Sequence, residues 1–328
     1  MIAIGVWWNS NTIAHNFIHR PFFRSRRFNA LFSAYLSVLL GIPQVLWRDR
    51  HLAHFAALGE KAKEHLNGAQ QQEWLPKIAD GSVRVAVGFA GRVGHTGVAK
   101  VDCDGRRLAG RVQSVLDGAG ATHVMVYLAD GRAALAPVEG NGVRANAVLS
   151  LDRTRPLIDV TFVDAPAVVL GAANQPDRAR TRVLDAGRVM LAADTLGAAQ
   201  SMLDQAVAFA KERVQFGRVI GSFQGVKHTL ADLATALEPC RALVWFAAHA
   251  QDALPEEARL AALLAKAHLD DVGREVARLA TEVHGGMGFT DLQGLHYWFK
   301  RIDANRQLLG TPERCRHEAA SVQGWISG

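Results

Sequence analysis

Hydrophobic and polar positions change their period several times along this 328-residue chain. Residues 28–47 carry no charge over twenty consecutive positions, a length that just spans a bilayer core. Gly41 and Pro43 interrupt that run, so a bent, re-entrant or interfacial segment is equally allowed. Further on, Trp74, Leu75, Ile78 and Ala79 fall at helical spacing with Gly81 as a stop, which predicts a short amphipathic helix. Over 83–169 the pattern turns to short alternating runs such as VRVAVGFA, HVMVYLA, AALAPV and LIDVTFV between glycine-bearing turns. These predict roughly six to eight strands in a small sandwich or barrel. Beyond residue 175 the period becomes helical, with one long helix over 178–213, two more over 228–252 and 256–284, a shorter one over 295–309, and no return of strand-like alternation. Short loops between long helices predict an antiparallel bundle. The expected fold class is α+β, a β-sandwich or barrel followed by a C-terminal helical bundle, in segments 1–58, 59–173 and 174–328.

Composition sharpens the first boundary. The net charge of +6 is uneven: residues 1–58 hold six arginines against the single acid Asp49, so most of the excess sits there. The remainder is nearly neutral, which leaves no basic patch of the size that nucleic-acid binding requires. Three well-separated cysteines, Cys103, Cys240 and Cys315, have neither metal-ligand nor disulfide-framework spacing. A reducing, cytoplasmic setting is expected, with membrane contact through 28–47.

Two histidine pairs flank the apolar run, His15 with His19 and His51 with His54, and such pairs can ligate metals. The strings NTIAHNFIHRPFF and RDRHLAHF resemble the first two histidine boxes of membrane di-iron fatty-acid desaturases and hydroxylases. The second departs from that pattern at Phe55, where a second adjacent histidine is usual, and no third box follows. No bound metal is expected from so partial a set.

From Gly59 onward the order of helix, small β domain and helical bundle resembles the acyl-CoA dehydrogenase family. The resemblance rests on QQEWLPKIADGS, on LAADTLGAAQSMLDQAVAFAKERVQFGRVIGSFQGVKHTLADLA and on EVHGGMGFT. It implies FAD as cofactor, an acyl-CoA substrate losing a proton from Cα and a hydride from Cβ, and a flavin site shared between subunits. It carries the FAD-gripping role onto Arg213, Gln215, Phe216, Gly217, Phe223, Gln224, Gly285 and Gly286. Glu282 departs from the family's glutamine, and an acid beside a diphosphate must turn away.

The catalytic half departs further. The family's TEPxAGSD-like stretch corresponds to FAGRVGHTG, where Thr96 is the lone hydroxyl, and its tryptophan-bearing strand corresponds to VLDG. The two places where the family puts its carboxylate base hold Leu309 and Gly187, so the catalytic residue is unassigned. Asp185 and Glu313 lie near these places and are expected in surface or capping roles. Only about twenty residues correspond to the family's N-terminal helical domain. The resemblance therefore implies an oligomeric subunit that completes the FAD site of a catalytic sibling. An active homo-oligomer with a relocated base such as Asp185, a di-iron hydroxylase fragment and a structural scaffold remain as alternatives.

Overall fold

The computed structural model describes residues 66–89, 101–116, 118–128, 131–155, 157–171 and 176–326. All lie in the second of two units into which the chain divides, His65–Gly328. The 28–47 run, the four histidines of the two pairs and Thr96 lie outside the described residues.

Helix α1, Gly68–Ala79, starts at a capping box in which the Asn67 side chain accepts from the Gln70 backbone and the Gln70 side chain accepts from that of Asn67, removing two of the unsatisfied donors of a helix start. Eight strands follow: β1 Val85–Gly88, β2 Val101–Asp104, β3 Arg107–Leu116, β4 His123–Tyr127, β5 Ala133–Pro137, β6 Val143–Val148, β7 Leu157–Pro166 and β8 Val168–Val169. They form two four-stranded sheets, β1-β4-β5-β8 and β2-β3-β7-β6. Only β1 and β4 run parallel. The two sheets share one core of Val101, Leu108, Val112, Val124, Val126, Ala134, Ala136, Val160 and Phe162, so the arrangement is a sandwich rather than a closed barrel.

The run AALAP, unbroken by a charge, has a structural cause. Ala134 and Ala136 face the sandwich core, while Ala133 and Leu135 face a second cluster with Trp74, Tyr127 and Leu170 beneath α1. A strand buried on both faces has no polar alternation to display. In β3 the register against β7 slips between Val112 and Val115. There Ser114 takes φ +55 and its backbone amide donates to Asp159 at 2.8 Å, a bulge secured by a carboxylate.

The bundle comprises α2 Pro176–Glu212, α3 Gln224–Ala253, α4 Pro255–His284, α5 Leu295–Gln307 and α6 Pro312–Val322. Ala199, Met202, Leu237, Cys240, Ala262, Leu269, Val276 and Leu295 form its centre, and burying each large side chain is worth about 1.5–3 kcal/mol. Because α2, α3 and α4 alternate in direction, α2 and α4 run parallel and their C-terminal ends meet at one end of the bundle.

Three sequence expectations are corrected. A short hairpin interrupts the helical half, with β9 Val214–Gln215 paired to β10 Arg218–Val219. Two residues per strand are too few for alternation to register. The helix expected over 295–309 stops at Gln307, because Leu309 turns to φ +56. Helix α6 was not anticipated; it begins at Thr311, whose hydroxyl accepts from the Arg314 amide, with Pro312 in the first turn.

Candidate functional site

The Arg213 amide continues the helical hydrogen bonding of α2 to the Phe209 carbonyl at 2.8 Å. After it the chain folds into the β9–β10 hairpin, whose central pair Phe216 and Gly217 have φ of +53 and +77. Positive φ at both positions is the requirement of a two-residue type I′ connection. Glycine meets it freely, but phenylalanine does so at a cost. Phe216 is nevertheless 93% exposed, so the strain serves no interior packing. Its ring meets Phe223 edge-on at 6.2 Å, and the Arg218 guanidinium lies 4.0 Å from the Phe223 ring centroid, a cation–π contact that braces the hairpin.

The second motif arrives at the same end of the bundle. Phe209, one turn before Arg213, stacks on His284 with centroids 4.5 Å apart. Gly285 follows at φ +57, and a Cβ built on Gly285 or Gly286 would meet nothing within 4 Å. The fold thus gathers all eight carried-over residues, Arg213, Gln215, Phe216, Gly217, Phe223, Gln224, Gly285 and Gly286, around the C-terminal ends of α2 and α4. All are exposed except Phe223, which is half-buried. A guanidinium, two amides, an aromatic face and bare glycine backbone fit a group that joins a diphosphate to a flat ring. Glu282 turns away from this set, pairing with Arg278 at 3.0 Å on the exposed side of α4.

The opposite end of the bundle is closed by charge. Arg188 is fully buried. It donates from Nε to the Leu309 carbonyl at 3.0 Å, to Asp185 at 2.9 Å and to Glu318 at 2.9 Å. Arg259 adds bonds to both carboxylates at 3.4 and 3.3 Å. Asp185 was expected at the surface; it is 3% exposed, and burial raises its carboxyl above the ordinary value despite Arg188 and Arg259. Burial acts in the same direction on Glu318, but the Arg188 charge and the bonds from Arg314 and Arg188 hold it low. Glu313 does sit at a helix start, exposed in the first turn of α6 and paired with Arg306 at 3.1 Å. Beside this cluster Lys266 and Asp270, both fully buried, form an ion pair, and burial pushes the Asp270 carboxyl up to about 6. Lys266 also donates to the Gly310 carbonyl at 3.3 Å.

Between the ends lies a hub that sequence reasoning missed. Asp194 on α2 accepts from Arg155 at 2.7 Å, from Arg301 at 2.8 Å and from Asn305 at 2.7 Å. Arg301 also donates to Thr154 at 2.7 Å. The 152–155 loop of the sandwich is thereby staked to α2 and α5. Burial alone would raise the Asp194 carboxyl, but the bonds from Arg301 and Asn305 and the charges of Arg155 and Arg301 hold it below the usual range. An acid between the apolar Ala192 and Leu196 was the available signal.

Among the described residues no group of three or more histidine, cysteine or acidic side chains is placed to hold a metal, and no helix is long and apolar enough to cross a membrane.

Comparison with known proteins agrees with this layout. Residues 177–322 match the family model "Acyl-CoA dehydrogenase, C-terminal domain", and residues 1–84 match the model "Fatty acid desaturase". Acyl-CoA dehydrogenase IpdE2 of Mycolicibacterium smegmatis is 37% identical over 139 residues, 42% of this chain and 43% of that protein. The structure of butyryl-CoA dehydrogenase from Megasphaera elsdenii superposes with a TM-score of 0.73 at 22% identity, covering 81% of this chain and 74% of that one. The Tcur3481-Tcur3483 steroid ACAD gives 0.69 at 28% identity, covering 82% and 74%. The chain spans less than half the length of the curated relatives it matches.

Proposed function

We propose, from the premise that residues 177–322 are an acyl-CoA dehydrogenase C-terminal domain, that this chain is a flavoprotein subunit in the α,β-dehydrogenation of acyl-CoA thioesters, holding FAD for a catalytic partner subunit. One observation carries the reading: the gripping residues and the place where a base would stand lie at opposite ends of α2. From Arg188 to Arg213 is twenty-five helical steps, about 37 Å at 1.5 Å per residue. That exceeds an extended dinucleotide, so a cofactor gripped by this chain presents its reactive ring elsewhere.

When bound, FAD supplies the acceptor for the hydride leaving Cβ. This chain's residues grip and orient. Arg213 would meet the diphosphate as a fork of fixed donors, Gln215 and Phe216 would touch the adenosine side, Phe223 and Gln224 would supply the cofactor contacts that follow, and Gly285 and Gly286 would allow close backbone approach. The proton of Cα goes to a carboxylate of the partner, because Asp185 is held by Arg188 and Arg259 and Glu313 pairs with Arg306 on the exposed first turn of α6. The Tcur3481-Tcur3483 steroid ACAD bears two gene products in its name, which supports a heteromeric arrangement. A cytoplasmic setting, with membrane contact through 28–47, belongs to the same reading.

The test is to purify the full chain alone and with a sibling dehydrogenase, measuring bound FAD and acyl-CoA-dependent dye reduction. Alone it is expected to retain little FAD and to reduce no dye. A homomer with stoichiometric flavin and turnover would overturn the reading in favour of the relocated-base enzyme.

A further inference from the structure

Gly187 leaves a notch inside α2, a position where glycine is less favourable than alanine because it loses more backbone freedom. A Cβ built there would lie 2.6 Å from the Leu309 Cδ1 atom, so the leucine already occupies the space that any larger residue would need. Leu309 reaches the notch from a left-handed backbone, φ +56, which is costly for a side chain bearing a Cβ. Two fully buried cations hold that turn in place: Arg188 bonds the Leu309 carbonyl and Lys266 the Gly310 carbonyl. Two locally unfavourable choices, a mid-helix glycine and a left-handed leucine, converge on one contact.

Two apolar residues share the face of α2 on which Gly187 lies. Val183, Gly187 and Met190 recur along α2 at spacings of four and three, and Met190 is 60% exposed. The carboxylates that share Arg188 with the turn, Asp185 and Glu318, point inward to it. We propose that Leu309 is a built-in plug, which fills the notch at Gly187 and makes this face of the chain inert toward the α-proton of a thioester. The plug rests on the partner-subunit reading above and explains how that subunit avoids competing chemistry on its own face.

Two measurements on the purified full chain test it. The first is thermal unfolding of wild type, Gly187→Ala, Leu309→Ala and the double variant. Gly187→Ala is expected to lower Tm by about 3–6 °C in the wild-type background, because the new methyl overpacks the notch. In the Leu309→Ala background the same change is expected to be neutral or to raise Tm, since alanine is then only a better helix former. Equal cost in both backgrounds overturns the plug. The second is incubation of wild type with butyryl-CoA in D2O, with and without added FAD, followed by mass spectrometry of the thioester. No α-deuterium above the buffer control is expected, and exchange by the wild-type chain overturns the proposal. Neither arm reads FAD retention by the complex, so failure of the partner-subunit reading is scored separately.

Discussion

Phe209 and His284 stack at 4.5 Å with an interplanar angle of 28°, an aromatic contact between the C-terminal ends of α2 and α4. The residues after each, 213–224 and 285–286, become neighbours although some seventy positions separate them in the chain.

The stack makes the bundle end sensitive to pH. Burial lowers the His284 imidazole below its ordinary 6.5, against the opposing bond to the Ala280 carbonyl. A depressed folded value means that the unfolded chain binds the proton first, so stability is present above 6.5 and lost as pH falls through the folded value. Tm is expected to decline as the solution is acidified from about pH 7 to 5, and His284→Phe, which keeps a ring against Phe209, is expected to flatten that part of the profile. Calorimetry across pH on both proteins checks this.

Arg188→Met removes the cation shared by Asp185, Glu318 and the Leu309 carbonyl. It is expected to cost about 3 kcal/mol in urea unfolding, the usual penalty for stranding buried carboxylates. Asp185→Asn keeps an acceptor and is expected to cost about 1–2 kcal/mol. In the reconstituted complex its kcat is expected to be unchanged; a kcat reduced a hundredfold would identify Asp185 as the base.

Asp194→Ala strands Arg155, Arg301 and Asn305 together. A loss of about 2–4 kcal/mol is expected, with faster amide exchange over 152–155 than over β3 or β7. Uniform acceleration through the sandwich would mean that the hub does not specifically anchor the loop.

Arg213→Met and Phe216→Ser change side chains that are exposed, so each is expected to leave Tm within about 2 °C. In complex with the sibling subunit, Arg213→Met is expected to weaken FAD retention by about 10–100-fold, the worth of one charge-assisted contact. Retention unaltered by both variants would dissociate this hairpin from cofactor binding.

The helical half was readable because long amphipathic periods survive small errors. The predicted 178–213, 228–252 and 256–284 became Pro176–Glu212, Gln224–Ala253 and Pro255–His284. The gripping residues were readable too, since they are consecutive strings whose chemistry is local. The β9–β10 hairpin was not, because four paired residues show no period. Helix α6 was obscured by a surface so charged that its one buried stripe, Cys315 and Ala319, is narrow. Lys266 and Asp270 passed unremarked, because an i,i+4 pair of opposite charges reads as a solvated helix face and nothing local says that both are buried.

By itself, then, the sequence determined the order of layers, the lengths of the long helices and the chemistry offered by each motif, all properties of neighbouring residues. Tertiary structure alone decided which distant residues meet. It brought Arg213 and Gly285 to one end of the bundle, set Leu309 against Gly187 at the other, and turned Asp185 inward to Arg188. Such pairings depend on helix direction and on which face is buried, and a carboxylate's availability follows from its partners rather than from its place in the chain.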